Sequence, residues 1–449
     1  MKKRGQGPSQ LMDLFLSVAD LVGATSDRDV ASLADVSVEN VANWRSGAVS
    51  EFKPHTLTAI KAGLAERFAM MREQALAVRD RGERLSAIEI EEGSGPADLQ
   101  RQLRDSVGYD YLGHRFLYFD PQGALAWEML IKAGYGQDRW VRGVTSCAEA
   151  WTRLEKPSTA RATTKPSGVI ARALGLDRKT RGRGIDVVSL GPGEGEKEVH
   201  VLSALLAIER AAPQALRWIA YVPVDVSIPL LLRAARSARD VLAGAEHATV
   251  LPICADFEVG KLAFRTRLPT ARHEPDAALR LVLVLGNVFG NLRDEEAFVR
   301  TKLDVLTRTG DLVWLEIASR LDRIESDPLW RLLTPDREIT AAETNRRVLI
   351  EGPYRRWEAA LGRPPRELDV RVWLREDDET TRIPGSCNFC HDLVIKDERR
   401  ACTMLYSRRY REKELCAWLD DMGYATESVV AVEDVRREPF VRHLLLRRR

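Results

Sequence analysis

Gly191, Gly193 and Gly195 stand at alternate positions after the apolar run from Ile185 to Leu190, and Glu196, Lys197 and Glu198 follow them. An apolar run that empties into such a turn reads as a buried parallel strand feeding a helix. Glycine there permits φ > 0 and close approach of backbone to a ligand, while the first helical turn leaves N–H groups free to bind it. Phosphate fits poorly, because Glu194, Glu196 and Glu198 crowd the loop and the Gly-Lys-Ser/Thr ending of a phosphate loop is missing. A cationic ligand without phosphates fits best, S-adenosylmethionine above all.

Three further apolar runs end in residues that could hold such a ligand. The run from Trp218 closes on Asp225, whose carboxylate could grip a ribose diol through charge-assisted hydrogen bonds. The run from Ala248 closes on Asp256 and Phe257, an acceptor for an adenine amino group beside a ring to pack on it. The run from Leu281 breaks into Gly286, Asn287, Gly290 and Asn291. Any one acid could equally cap a helix. Four strands in succession with small, acidic or amide tips describe the ligand-binding edge of an open α/β sheet.

The elements that must position these tips follow from the spacing between them. Helical patterns at 197–210, 229–243 and 294–307 alternate with the strands, a helix at 164–174 leads in, and 311–318 supplies a fifth strand. Such alternation predicts a doubly wound, mostly parallel sheet. After Ser319 it stops, and 320–400 reads as an insertion capping the site; 401–449 returns a helix and a closing pair of strands. With 97–163 as a helical, substrate-side segment and 164–319 as the core, a chain of 449 residues divides as its length requires. The Glu91–Pro96 stretch reads as a linker.

Residues 1–90 have another character. Spacing of Leu11, Leu14, Phe15, Val18 and Leu21 is helical. Then come a short helix containing Ala31, a turn at Asp35-Val36, a cap at Ser37 and a second helix with Val41 and Trp44 inside. With its closing Trp44-Arg45-Ser46-Gly47, this segment resembles the repressor-type helix-turn-helix family. The resemblance implies that Val38, Glu39, Asn40, Asn43 and Arg45 face DNA, with residues 26–64 as the module. A module that only dimerises the chain stays open beside it. The mixed-charge helix expected from Leu64 to Ile88 carries no function in this reading.

The glycine loop with its Glu196-Lys197, the Tyr221–Ser227 segment, Ala255-Asp256-Phe257 and Leu285–Leu292 resemble the motifs of the histidine-specific Nα-methyltransferases of ergothioneine biosynthesis. That resemblance runs from about Arg115 to the C-terminus. It implies a class I (Rossmann-like) methyltransferase core with a cap, here preceded by an all-α helix-turn-helix domain. It also implies S-adenosylmethionine contacts from Gly191, Lys197, Asp225, Asp256 and Phe257, and Asn291 holding the substrate's amino or carboxyl end. Gly193, Gly195, Gly286 and Asn287 complete the expected cofactor set, and Ser407 and Thr340 are expected at the far end of the methyl acceptor.

Departures from the family pattern bear on that acceptor. Phe119 and Leu333 stand where tyrosines are expected, and Leu405 replaces a glutamate two residues before the retained Ser407. An imidazole would lose partners there, at about 1–3 kcal/mol for each unpaired buried group. The expected acceptor is therefore a small amine, a less polar amino acid or a peptide nitrogen rather than free histidine. A DNA-binding regulator that senses the cofactor without turning it over is the competing expectation.

Composition narrows the remaining classes. Lys and Arg number 68 against 66 Asp and Glu, so no general field draws the chain to nucleic acid or membrane. No run approaches a membrane span, and six scattered cysteines suit a reducing, cytoplasmic setting. Cys387 and Cys390, with His391 and Cys402 nearby, supply half of a zinc pattern whose other half is missing, so no metal is expected.

Overall fold

The computed structural model describes residues 12, 15–16, 18–19, 26–46, 48–49, 52–65, 88–107, 109–133, 137–155, 165–176, 183–211, 216–274, 277–334, 340–434 and 437–449. Leu11, Leu14, Leu21, Tyr135, most of the charged helix expected before Ile88 and the start of the one expected at Thr164 lie outside them. The chain forms two compact units, Met1–Ala87 and Ile88–Arg449.

In the first unit, α1 (Asp27–Ala34) opens with a capping box in which Ser26 Oγ accepts from Asp29 N and the Asp29 carboxylate accepts from Ser26 N. It ends at Asp35, whose φ of 51° turns the chain into α2 (Val38–Arg45). Aspartate tolerates this left-handed geometry better than most residues. Ser37 caps α2 by accepting from Asn40 N, and Val41 and Trp44 face a core with Phe15, Val30 and Ile60. A helix over residues 54–65 packs so closely that a Cβ on Gly63 would lie 2.1 Å from Leu33 O.

The second unit is built on a nine-stranded sheet. Its strands are β1 (Glu89–Ile90), β2 (Gly184–Leu190), β3 (Ile219–Asp225), β4 (Ala248–Val250), β5 (Ile253–Cys254), β6 (Ala278–Val284), β7 (Leu312–Ala318), β11 (Tyr424–Asp434) and β12 (Arg437–Arg448). The order is β1-β5-β3-β2-β6-β7-β12-β11, with β4 on β3; all pairings up to β7 are parallel, and β12 and β11 are antiparallel. Every residue of β2, β3, β6 and β7 is buried. Continuous apolar strands of this kind require cover on both faces. Helices α6 (Glu196–Ala211) and α7 (Ile228–Leu242) connect successive strands, and α5 (Gln137–Trp151) packs against α6.

Several sequence expectations need correction. The run from Ala248 to Phe257 is two short strands, broken where Pro252 cannot donate a ladder hydrogen bond. The expected linker is built into the sheet edge: Glu89 N donates to Pro252 O, and Ser94 Oγ accepts from Asp256 N. The cap also extends past residue 400. Its sheet is β8 (Leu368–Arg375), β9 (Cys387–Ile395) and β10 (Arg400–Arg409), with β9 and β10 paired from Cys387–Arg409 to Ile395–Arg400.

The substrate-side segment and the cap share one core. Leu99, Leu103 and Phe116 pack with Ile350, Leu393 and Met404, so α3 (Pro96–Ser106), α4 (Pro121–Lys132), α8 (Ala341–Ala360) and the cap sheet form one layer. Cys387 and Cys390, three apart on β9, fall on opposite faces of the strand. Both thiols are buried, and no His/Cys/Asp/Glu group among the described residues could hold a metal ion.

Candidate active site

The C-terminal ends of β2, β3, β5 and β6 open into a cavity of about 1140 Å³. Gly191 and Gly193 line it with φ of 66° and 59°. A Cβ on Gly191 would meet the Phe257 ring and Val288 at 3.3 Å, so the cradle itself needs glycine there. Gly195, with φ of 79°, is not on the wall. A Cβ at this position would lie 2.8 Å from Ala234 Cα, so its glycine lets α6 start against α7 rather than shaping the cavity wall.

Asp225 and Asp256 both line this cavity and both are buried. Asp225 Oδ1 accepts from Ser227 N at 2.8 Å. Burial nevertheless pushes its carboxyl up to about 7, against the lowering effect of the backbone N–H groups of Ser227, Gly193 and Val226. Asp256 Oδ1 accepts from Glu258 N and Val259 N, whereas Oδ2 has no hydrogen-bond partner and lies 3.4 Å from Arg115 Nε. Phe257 stands beside it with the His114 ring 6.2 Å away. These features fit an adenosyl group. A ribose diol would donate to Asp225, an adenine amino group would donate to the orphaned Asp256 oxygen, and Phe257 would flank the base.

At the tip of β6, Gly286 (φ 73°) and Asn287 (φ 61°) turn the chain into the short helix Val288–Asn291. Asn287 Oδ1 accepts from Ala318 N, tying this tip to the end of β7. Asn291 completes the wall, and Lys197 reaches it from α6. Buried Arg408 donates to Leu292 O and pairs with Asp378, fastening the segment after Asn291 to the cap.

The far wall belongs to the cap and the helical segment. Leu405, Ser407 and Arg409 alternate on β10, so all three face the cavity. Arg409 grips Asp327 through two hydrogen bonds, and its Nη1 donates to Ser407 Oγ at 2.9 Å. Tyr118, Trp127, Trp140, Leu329, Trp330 and Phe440 supply an apolar and aromatic lining. Thr340, expected here, is exposed outside the lining; its hydroxyl accepts from Glu343 N as the N-cap of α8. Ala342 reaches the wall instead, while Asn345 donates to Met129 O.

Sequence reasoning missed Arg115, Glu194 and Arg233. Arg233 on α7 bridges Glu194 of the glycine loop at 2.9 Å and Glu128 of α4 at 2.7 Å. Glu194 thus fixes the loop, and burial raises its carboxyl above the usual range. Only the density of acids in the loop hinted that one of them needed a basic partner.

No curated protein matches the chain. Among solved structures, the 1,6-didemethyltoxoflavin-N1-methyltransferase of Burkholderia thailandensis is 12% identical, with 72% of this chain and 87% of that one covered and a TM-score of 0.33. Magnesium protoporphyrin IX methyltransferase of Synechocystis PCC 6803 is 12% identical, covering 74% and 97% at a TM-score of 0.33. The family model described as histidine-specific methyltransferase, SAM-dependent, matches residues 167–313, the part that bears the glycine loop, both aspartates and Asn291. Those residues match the family's model, and the chain is an S-adenosylmethionine-dependent methyltransferase.

Proposed function

We propose that the enzyme methylates a nitrogen of a small amine, amino acid or peptide whose body is apolar or aromatic, and that free histidine is a poor acceptor. The observation that carries this reading is the wall formed by Leu405, Trp330, Trp140 and Phe440, where the only hydroxyl on the β10 face is that of Ser407. When bound, S-adenosylmethionine supplies an electrophilic methyl group on a sulfonium sulfur. Asp225, Asp256, Phe257, Gly191, Gly193 and Lys197 would hold it.

The chain's own residues then orient and exclude water. Asn291 directs the neutral amine from the β6 tip. Because Arg409 donates to Ser407 Oγ, the Ser407 hydrogen is left to donate into the cavity, so this residue recognises a hydrogen-bond acceptor on the substrate. Apolar walls desolvate the nitrogen, and alignment of two reactants can supply roughly 7–11 kcal/mol of the barrier. The test is calorimetry with the cofactor, then mass spectrometry for a methyl gain across aliphatic, aromatic and histidine-type amines. Histidine as the best acceptor would overturn the specificity.

A second reading, that the first unit is a repressor-type DNA-binding module, is supported by the turn at Asp35 and the exposed Val38, Glu39 and Asn40 on α2. Asn43 is half-buried, and Arg45 is held by Asp27 at 2.7 Å, which leaves it poorly placed for phosphate. Gel-shift selection of the full chain from a random duplex pool tests this; retained DNA without any methylated product would favour a cofactor-sensing regulator. Sedimentation of the chain without DNA tests the alternative, a dimerisation module.

A further inference from the structure

Glu316 has no part in the roles above. It is the single acid in β7 and its side chain is wholly buried. Oε2 accepts the backbone N–H of Gly286 and stands 3.6 Å from Lys197 Nζ. Oε1 has no hydrogen-bond partner and faces His443 Nε2 at 3.6 Å. His443 supplies no positive charge, since its Nδ1 accepts the Trp314 indole N–H and burial, with Lys197 nearby, pulls it down to about 3.

The groups facing Glu316 are Lys197 and Glu198 from α6, His443 from β12 and Cys147 from α5. Cys147 is pushed up to about 12 by burial and stays neutral. Glu198 takes the Ser189 hydroxyl on one oxygen, and burial raises it above the usual carboxylate range. Lys197 thus pairs with Glu316 and also lowers Glu198 electrostatically, one ammonium acting on two buried carboxylates. Lys197 is also a wall residue of the cavity. Of the charged groups on S-adenosylmethionine, only the carboxylate would be drawn to it.

We propose that Glu316 is a positioning residue of the cofactor half-site: it holds the Lys197 ammonium and the Gly286 N–H in place, and takes up a solvent proton when the cofactor carboxylate becomes the partner of Lys197. This rests on the cofactor's amino-acid tail lying against Lys197. A third negative charge beside Glu316 and Glu198 disfavours ionisation, and protonating one of them relieves it. Burial, with Glu198 nearby and against the lowering effects of Lys197 and the Gly286 N–H, already brings Glu316 to about 7, so the proton is available near neutrality.

Calorimetry at pH 7.5 in buffers of different ionisation enthalpy reads the proton directly. S-adenosylhomocysteine carries the tail, and 5′-methylthioadenosine has the same nucleoside without it. Any proton released at Asp225 on ribose binding is common to both ligands, so their difference isolates the tail. The expected difference is an uptake of about half a proton with the tail present, and the affinity ratio of the two ligands should change by up to about tenfold per pH unit above neutrality.

In Glu316→Gln the difference should vanish while methylthioadenosine still binds, which also shows the variant to be folded. No difference in the wild type, or one that survives in Glu316→Gln, overturns the inference and leaves the cofactor assignment standing. Failure of both ligands to bind overturns the two together.

Discussion

Arg409 donates to both carboxylate oxygens of Asp327, 82 positions earlier in the chain, through Nε at 2.6 Å and Nη2 at 3.3 Å. Both side chains are almost wholly buried. Their pairing pins the 321–331 segment to the cap sheet and leaves a third Arg409 contact to orient Ser407. One ion pair thus ties the cap end of the cavity together and orients the hydroxyl there.

Breaking that pair from one side leaves a buried charge. Asp327→Asn or Arg409→Met should destabilise the second unit by about 3–5 kcal/mol. Urea denaturation followed by tryptophan fluorescence measures this. At permissive temperature the variants should bind cofactor like the wild type but lose acceptor turnover.

Gly195 and Gly193 both have positive φ, yet they should respond differently to alanine. Gly195→Ala drives a methyl into Ala234 and should cost stability well beyond the roughly 1 kcal/mol of backbone strain. Gly193→Ala meets only the Trp127 indole nitrogen at 3.6 Å, so its loss should be near the strain alone. Thermal melts of the two variants decide between helix packing and cofactor cradle as the role of each glycine.

Asp225 makes the stability of the free enzyme pH-dependent. Its folded value of about 7 is above the ordinary 3.8 because burial penalises the charge. Its contribution is therefore fully present below 3.8 and is lost as pH rises through about 7. Asp225→Asn should flatten that part of the stability profile in urea titrations. The same variant should weaken cofactor binding by ten- to about a hundredfold, the range for losing a hydrogen bond to a charged group.

Leu405→Glu tests what the apolar wall excludes. A carboxylate beside Ser407 would accept an imidazole N–H, and one charge-assisted hydrogen bond of about 1.5–3 kcal/mol corresponds to roughly ten- to a hundredfold in affinity. Histidine should gain binding to that extent in calorimetry with cofactor present, while apolar amines lose it. Unchanged affinities would place the acceptor away from β10.

The sheet edge that lines the cavity was legible because its signals are local. Each strand of the parallel sheet is a continuous apolar run, and the tip residues follow within one or two positions, so Gly191, Asp225, Asp256 and Gly286 reach one cavity without further information. Even there, only geometry separated Gly195, which packs on a helix, from its two neighbours. Thr340 was expected at the site by resemblance to the family, but with Glu343 three residues on it forms the capping box of α8 and stays outside the cavity.

The sequence by itself determined the order of strands and helices, the glycine turn, the acids at the strand ends and the turn between the two short N-terminal helices. Periodicity and turn chemistry act over a few residues, and those features depend on nothing longer. Tertiary structure alone decided that residues 96–132 and the cap make one layer, that Asp327 meets Arg409, that Arg233 joins Glu194 to Glu128, and that Glu316 lies behind Lys197. Pairing of buried charges depends on which chain segments the packed sheet brings within a few ångströms, and no spacing along the chain records that.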